Sequence, residues 1–132
     1  MIIAQKIPEL LAHVGLKGIE ARMPSELSGG IQKRVALARA IAKNPEIMLY
    51  DEPTTGVDPI NSGSLYRLIA YMQKTFHVTS VIVTHDMRLA FTIADRIAML
   101  HDGTIIVEGT PQQIKECQDA VVQQFVSGKA KV

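Results

Sequence analysis

The stretch Ile47-Met48-Leu49-Tyr50-Asp51-Glu52 decides how the rest of this chain is read. Four apolar residues run straight into two carboxylates, and Pro53 follows. A short unbroken apolar run bounded by turn residues predicts a strand buried on both faces, as in a parallel sheet. In open α/β sheets ligands bind beyond the carboxyl ends of the strands, where Asp51 and Glu52 fall. The same residues also describe a buried strand that merely ends in a polar turn. The surrounding chain must choose between the two.

Working outward, Ser28-Gly29-Gly30 breaks the chain sharply upstream. Ile31, Val35, Ala38 and Ala42 then recur at helical spacing, and Lys43 with Asn44-Pro45 closes that helix. Further upstream, 9–14 is helical in pattern and stops at Gly15 and Gly18. Downstream, Asp58 before Pro59 predicts an N-cap with proline at the first helical position. Leu65, Leu68, Ile69, Met72 and Phe76 make the apolar stripe of that helix. Val81-Ile82-Val83 is a second β-branched run, ending at Thr84-His85-Asp86. Strand, helix, strand is a βαβ unit, which predicts parallel pairing.

Residues 87–94 predict another helix, and 97–100 and 104–107 flank His101-Asp102-Gly103, an Asp-Gly hairpin signal. Thr110-Pro111-Gln112-Gln113 has the form of a capping box and opens a short helix. Val121, Val122, Phe125 and Val126 mark a last helical piece, and 127–132 is expected to fray. Residues 1–45 are thus mostly helical, and the sheet falls within 46–110.

Composition narrows the function. The 132 residues suffice for one domain, and 47% hydrophobic with 20% charged residues is a globular balance. A net charge of +1, from 14 basic and 13 acidic residues, asks for no nucleic acid as partner. Three Tyr, three Phe and no Trp give no stacking platform for single strands. A lone Cys117 cannot staple the domain and suits a reducing compartment. No apolar run approaches a membrane span, and 1–16 lacks the apolar middle of a signal peptide. A cytoplasmic protein is expected.

Three polar groups stand where chemistry can occur. Ser28-Gly29-Gly30 sits at a helix N-terminus, where free N–H groups and the helix dipole favour a phosphate, although an ordinary Ser cap reads the same way. Asp51 at a strand end can hold Mg²⁺, and Glu52 beside it can orient or deprotonate a water. His85 ends the next strand and could hydrogen-bond a phosphoryl oxygen or be a purely structural histidine.

In order, Leu27-Ser28-Gly29-Gly30, Arg34-Val35-Ala36-Leu37-Ala38-Arg39-Ala40, Leu49-Tyr50-Asp51-Glu52-Pro53-Thr54, Asp58 and Thr84-His85-Asp86 closely resemble the ATPase subunit of ATP-binding-cassette (ABC) transporters. The resemblance covers about 23–109. It implies an α/β fold, a partial P-loop NTPase with a parallel-sheet core and a helical signature region at the N-terminus. Residues 1–45 would be part of the helical signature subdomain, and 46–132 the C-terminal part of the ATPase core with its terminal helices. Ser28, Gly29 and Gly30 would bind ATP held by the opposite subunit. Asp51 would lie on the Mg²⁺ side, Glu52 would be the catalytic carboxylate, and His85 would be the switch histidine. Thr55-Gly56-Val57-Asp58 would be the D-loop, which crosses the dimer interface. The implied partners are a second ATPase subunit in a head-to-tail dimer and membrane permease subunits. The location implied is the inner face of the cytoplasmic membrane.

The chain departs from the family pattern twice. The signature's usual Gln is Ile31 here, with Gln32 one place later. With Met23-Pro24-Ser25-Glu26, Asp58-Pro59-Ile60 and Val122-Gln123-Gln124-Phe125, this resembles the Mla-type phospholipid transport ATPases, which serve Mce-class lipid-binding proteins in Gram-negative envelopes. The second departure bears on activity: no G-x-x-x-x-G-K-[ST] phosphate loop occurs, since Gly128-Lys129 is followed by Ala130 and has no matching glycine before it. The chain is therefore expected to match the C-terminal half of such a subunit and to be inactive alone. The strand preceding the phosphate loop should be missing too, leaving an open edge beside Val81-Ile82-Val83, where each unpaired buried group costs roughly 1–3 kcal/mol. A non-catalytic partner supplying the signature in trans is the competing reading. Soluble cassettes of DNA repair or translation are a third, which the absence of heptads and of basic charge disfavours.

Overall fold

The computed structural model describes residues 2–128. They form two compact units, one ending at His85 and the other beginning at Asp86.

In the first unit, α1 (Ile2–His13) leads through a short 3₁₀ turn (Pro24–Glu26) into α2 (Gly29–Ile41). α1 starts well before the predicted residue 9 and carries Pro8 inside it. Proline costs a helix one N–H, yet here the helix runs through it. α2 ends as expected, with Asn44 in the left-handed region at φ 49° and its N–H donating to the Ile41 carbonyl.

β1 (Ile47–Asp51) and β2 (Thr79–Val83) flank α3 (Pro59–Phe76) and pair in parallel, Leu49 beside Val81 and Asp51 beside Val83. The βαβ unit thus has the predicted pairing. The α3 stripe is buried at Leu65, Leu68, Ile69 and Met72. Phe76, at the helix end, is partly buried and meets the His13 ring edge-on at 5.0 Å. Asp58 caps α3 through Oδ1, which accepts from the Ile60 and Asn61 N–H groups at 3.1 Å each.

Burial of β1 departs from expectation. Met48 and Tyr50 are 5% and 6% exposed, but Ile47 and Leu49 are 59% and 78% exposed. On β2, Val81 and Val83 share that open face at 50% and 61%. The strand is therefore buried on one face, not two. A single βαβ unit supplies one crossover helix, which can cover only one side of two strands. Among the described residues β2 has no strand partner besides β1, as the expected open edge requires.

The second unit holds α4 (Met87–Ile93), β3 (Ile97–His101), β4 (Thr104–Gly109), α5 (Pro111–Glu116) and α6 (Ala120–Ser127). β3 and β4 pair antiparallel with a register shift between Met99 and Leu100. Asp102 and Gly103 at the turn have φ 45° and 77°, the pair of positive values a two-residue hairpin needs. The predicted capping box forms: Thr110 N–H donates to Gln113 Oε1 at 2.8 Å, and Gln113 N–H donates to Thr110 Oγ1 at 3.3 Å. A Cβ on Gly109 would lie 2.7 Å from that same Gln113 oxygen, so the cap depends on glycine there. Met99, Ile114 and Val122 form the small core, with Phe91 and Val107 against it. The expected fraying of the tail lies outside the described residues from 129 onward. No described helix is long and apolar enough to cross a membrane.

Candidate functional site

The predicted site residues gather into two clusters, both within the first unit. The first is a cavity of about 290 Å³ lined by Ser28, Gly29, Gly30, Ile31 and Arg34 from the start of α2, and by Gly56, Val57, Asp58 and Asn61 from the approach to α3. Ser28 is the N-cap of α2 by backbone geometry, yet its hydroxyl makes no capping hydrogen bond. The Ser28 hydroxyl is thus not spent on the helix it caps. A Cβ on Gly29, Gly30 or Gly56 would meet nothing within 4 Å, so the backbone there is open to a ligand. The helix start carries unpaired N–H groups and the positive end of the dipole, which suits an anion.

Ile31 stands in the lining where the family pattern has Gln. Gln32 turns away from the cavity; its amide donates to the Pro24 carbonyl at 2.9 Å and the Leu27 carbonyl at 3.0 Å. It braces the loop rather than reading a ligand. Asp58 is engaged as the α3 cap, and hydrogen bonds from Asn61 chiefly hold its carboxyl below the usual range.

Arg34 carries no role that its neighbours in the chain would suggest. Its guanidinium donates to the Val14 carbonyl at 2.8 Å and to Ser64 Oγ at 2.6 Å, tying α2 to the segment after α1 and to α3. Those partners are 20 and 30 residues away, so no local pattern could have shown them.

The second cluster is Glu52 with His85. The chain turns sharply at Glu52, a non-glycine residue at φ 44°, and its N–H donates to the Val83 carbonyl at 2.9 Å, extending the ladder past β1. Glu52 Oε1 accepts from the His85 N–H at 3.0 Å and lies 2.8 Å from His85 Nδ1. An ionised carboxylate only accepts, so Nδ1 carries the proton in this pair. Oε2 accepts longer contacts of 3.4 Å from the Thr55 and Thr84 hydroxyls. The His85 side-chain contact is the main reason the Glu52 carboxyl lies below its ordinary range. The imidazole stays 75% exposed. Thr55 and Thr84 sit inside quoted motifs, but only the fold turns their hydroxyls toward Glu52.

Asp51 ends β1 on its exposed face. Among the described residues no group of three or more His, Cys, Asp or Glu is arranged to hold a metal ion. A single exposed carboxylate fits Mg²⁺ only as one ligand of a largely hydrated ion that phosphates help to hold. Asp51, Glu52 and His85 are not part of the cavity lining.

Comparisons with known proteins converge on one family. The family described as "ABC transporter" matches residues 2–55. The chain is 43% identical over 129 residues to the intermembrane phospholipid transport system ATP-binding protein MlaF of Haemophilus influenzae, covering 98% of this chain and 49% of that one. It is 44% identical over 120 residues to MlaF of Escherichia coli K12, covering 91% and 45%. It is 37% identical to the methionine import ATP-binding protein MetN 1 of Staphylococcus aureus, covering 95% of this chain and 37% of that one. Among solved structures, MJ1267, an ATP-binding cassette of an ABC transporter in its ADP conformation, superposes with a TM-score of 0.83 at 26% identity, over 98% of this chain and 51% of that one. The cbiO1 protein of Clostridium perfringens gives 0.81 at 27% identity, over 93% and 49%. Over nearly its whole length the chain is similar to ATP-binding proteins of ABC transporters. It spans about half the length of the curated relatives it matches.

Proposed function

We propose that this chain is the signature-and-carboxylate half of an ABC-type ATPase subunit serving phospholipid transport. The observation that carries the reading is the division of its polar residues into two clusters. Ser28, Gly29, Gly30 and Asp58 line an open cavity, while Glu52, His85 and Asp51 stand apart from it. That division is what two different nucleotides would require. The cavity would grip the γ-phosphate of ATP held by a second, head-to-tail subunit, through the α2 N-terminus and the Ser28 hydroxyl. Glu52 and Asp51 would act on ATP belonging to their own subunit.

In that reading Asp51 would be a ligand of Mg²⁺, which when bound would neutralise phosphate charge. Glu52 orients and deprotonates the attacking water. The bond from His85 Nδ1 positions the Glu52 carboxylate. A turn of His85 to the γ-phosphate would exchange one acceptor for another. The missing phosphate loop leaves the chain unable to hold its own nucleotide, so we expect no hydrolysis from the chain alone. Residues 1–45 belong in this reading to the helical signature subdomain and 46–132 to the ATPase core. The working location is the cytoplasmic face of the inner membrane, with permease subunits and a Mce-class lipid-binding protein as partners. The phospholipid assignment rests on the likeness to the MlaF proteins, which exceeds that to MetN 1.

A chimera tests this. Residues 23–109 replace the matching segment of Haemophilus influenzae MlaF, and Mg-ATP hydrolysis is followed. The chimera should hydrolyse ATP, Glu52→Gln should lower the rate at least about a hundredfold, and the unfused chain should show background turnover only. A folded chimera without hydrolysis, or turnover by the unfused chain that Glu52→Gln abolishes, overturns the reading.

A further inference from the structure

One guanidinium joins the elements that enclose the cavity. Gly30, Ile31 and Arg34 fall at helical spacing, so the face of α2 that lines the cavity also carries Arg34. Its two terminal nitrogens serve different elements: Nη1 donates to the Val14 carbonyl at 2.8 Å and Nη2 to Ser64 Oγ at 2.6 Å. Val14 directly follows the last residue of α1, where a helix leaves carbonyls without an internal donor and its dipole favours a cation. Gly15 makes room for that contact. It stands at φ 73°, and a Cβ there would lie 3.2 Å from Nη1. Ser64 is one turn of α3 beyond Asn61, which lines the cavity with Gly56, Val57 and Asp58. Both acceptors are neutral, and among the described residues Arg34 joins no ion pair. A planar fork held at both tips by neutral acceptors serves geometry rather than charge balance.

We propose that Arg34 is a positioning residue, which fixes the spacing between the α2 wall and the 56–61 wall of the cavity and braces both against the end of α1. The proposal rests on the reading of that cavity as the grip on a nucleotide held by a second subunit. A grip shared by two walls works at one separation only, because hydrogen bonds weaken steeply with distance and angle. Nothing local sets that separation, since 28–31 and 56–61 belong to different parts of the chain. The bond from Arg34 to Ser64 joins their two helices directly.

Ser64 allows a clean test, because Thr keeps the hydroxyl and Val replaces it with a methyl group at similar helix propensity. In the full chain, hydrogen exchange reads the walls at Leu16, whose N–H donates to the Leu11 carbonyl, and at Val57, whose N–H donates to the Thr54 carbonyl. Arg34→Lys should speed exchange at both amides about fivefold, Ser64→Val at Val57 alone, and Ser64→Thr at neither. For the nucleotide, the whole chain replaces the region of Haemophilus influenzae MlaF that it matches, so that Val14, Arg34 and Ser64 act together. Hydrolysis is then followed against ATP concentration. Ser64→Val should raise KM at least about fivefold with kcat within about twofold, whereas a mere loss of folded protein lowers kcat and spares KM. Arg34→Lys combined with Ser64→Val should be no worse than Arg34→Lys alone, since both cut one tie. Thr and Val variants that behave alike, a fall confined to kcat, or losses that add in the double variant overturn the proposal. Hydrolysis with a KM indifferent to Ser64 sinks the positioning role and leaves the proposed function standing. Exchange that responds as stated in a chain whose chimera is inert sinks the proposed function and leaves the bracing of the walls standing.

Discussion

The two sheets of this molecule have two strands each, and they reach that state by opposite routes. β3 and β4 are joined by Asp102-Gly103, their register is local, and the short helices after them complete a core around Met99, Ile114 and Val122. β1 and β2 are joined through the whole of α3, and their register is set by tertiary packing alone. The hairpin keeps its neighbours within a few residues and buries Met99, while Leu100 and Ile105 stay 67% and 56% exposed. The parallel pair likewise has one face inside and one in water. Local connection fixes a hairpin's register by its turn, whereas parallel connection calls for layers on both sides.

The sharpest way to break this contrast is to compare adjacent residues of β1. Met48→Ala should destabilise the chain by about 2–5 kcal/mol, since it empties a buried site. Leu49→Ala should stay within about 0.5 kcal/mol. Chemical denaturation of both variants checks this, and equal losses would mean that the Leu49 face is covered in solution.

A smaller effect probes the other sheet. Gly103→Val places a β-branched residue at φ 77° and should cost about 1–3 kcal/mol. Loss of the β3–β4 cross-strand contacts, without change at β1–β2, should be visible by hydrogen exchange. If β1–β2 opens equally, the two sheets do not stand independently.

The smallest effect concerns pH. The Glu52 carboxyl lies below its ordinary range when folded, chiefly because His85 donates to it. A depressed carboxyl binds its proton less readily folded than unfolded. Its contribution is therefore present above the ordinary carboxylate pKa and lost as pH falls through the lowered value. Glu52→Gln should shallow the acid limb of the stability profile by lowering the neutral plateau slightly while leaving the acid end unchanged, a small effect because the pair is exposed and screened. Identical acid limbs would show that the His85 contact does not persist in solution.

Much of this was legible from residues near one another in the chain. Asp58-Pro59, Thr110-Pro111-Gln112-Gln113 and Asp102-Gly103 each announce a cap or a turn whose hydrogen bonds close within a few residues. Helix α3 was legible because its stripe has the period of the helix itself. The motifs of the site were legible for the same reason, being short and ordered. Arg34 was not, because its bonds to Val14 and Ser64 join distant segments. Nor was the run of α1 through Pro8, where local preference gave way.

By itself the sequence determined the βαβ order, the hairpin, the caps and the family resemblance, because each rests on local spacing or on motifs in series. Only the tertiary structure decided that Glu52 turns to His85, that Gln32 turns from the cavity, and that Ser28-Gly29-Gly30 and Glu52 with His85 form separate clusters. It alone decided, too, that Leu49 faces water. An apolar strand states what it could bury; whether both of its faces are covered depends on how many layers the folded chain supplies.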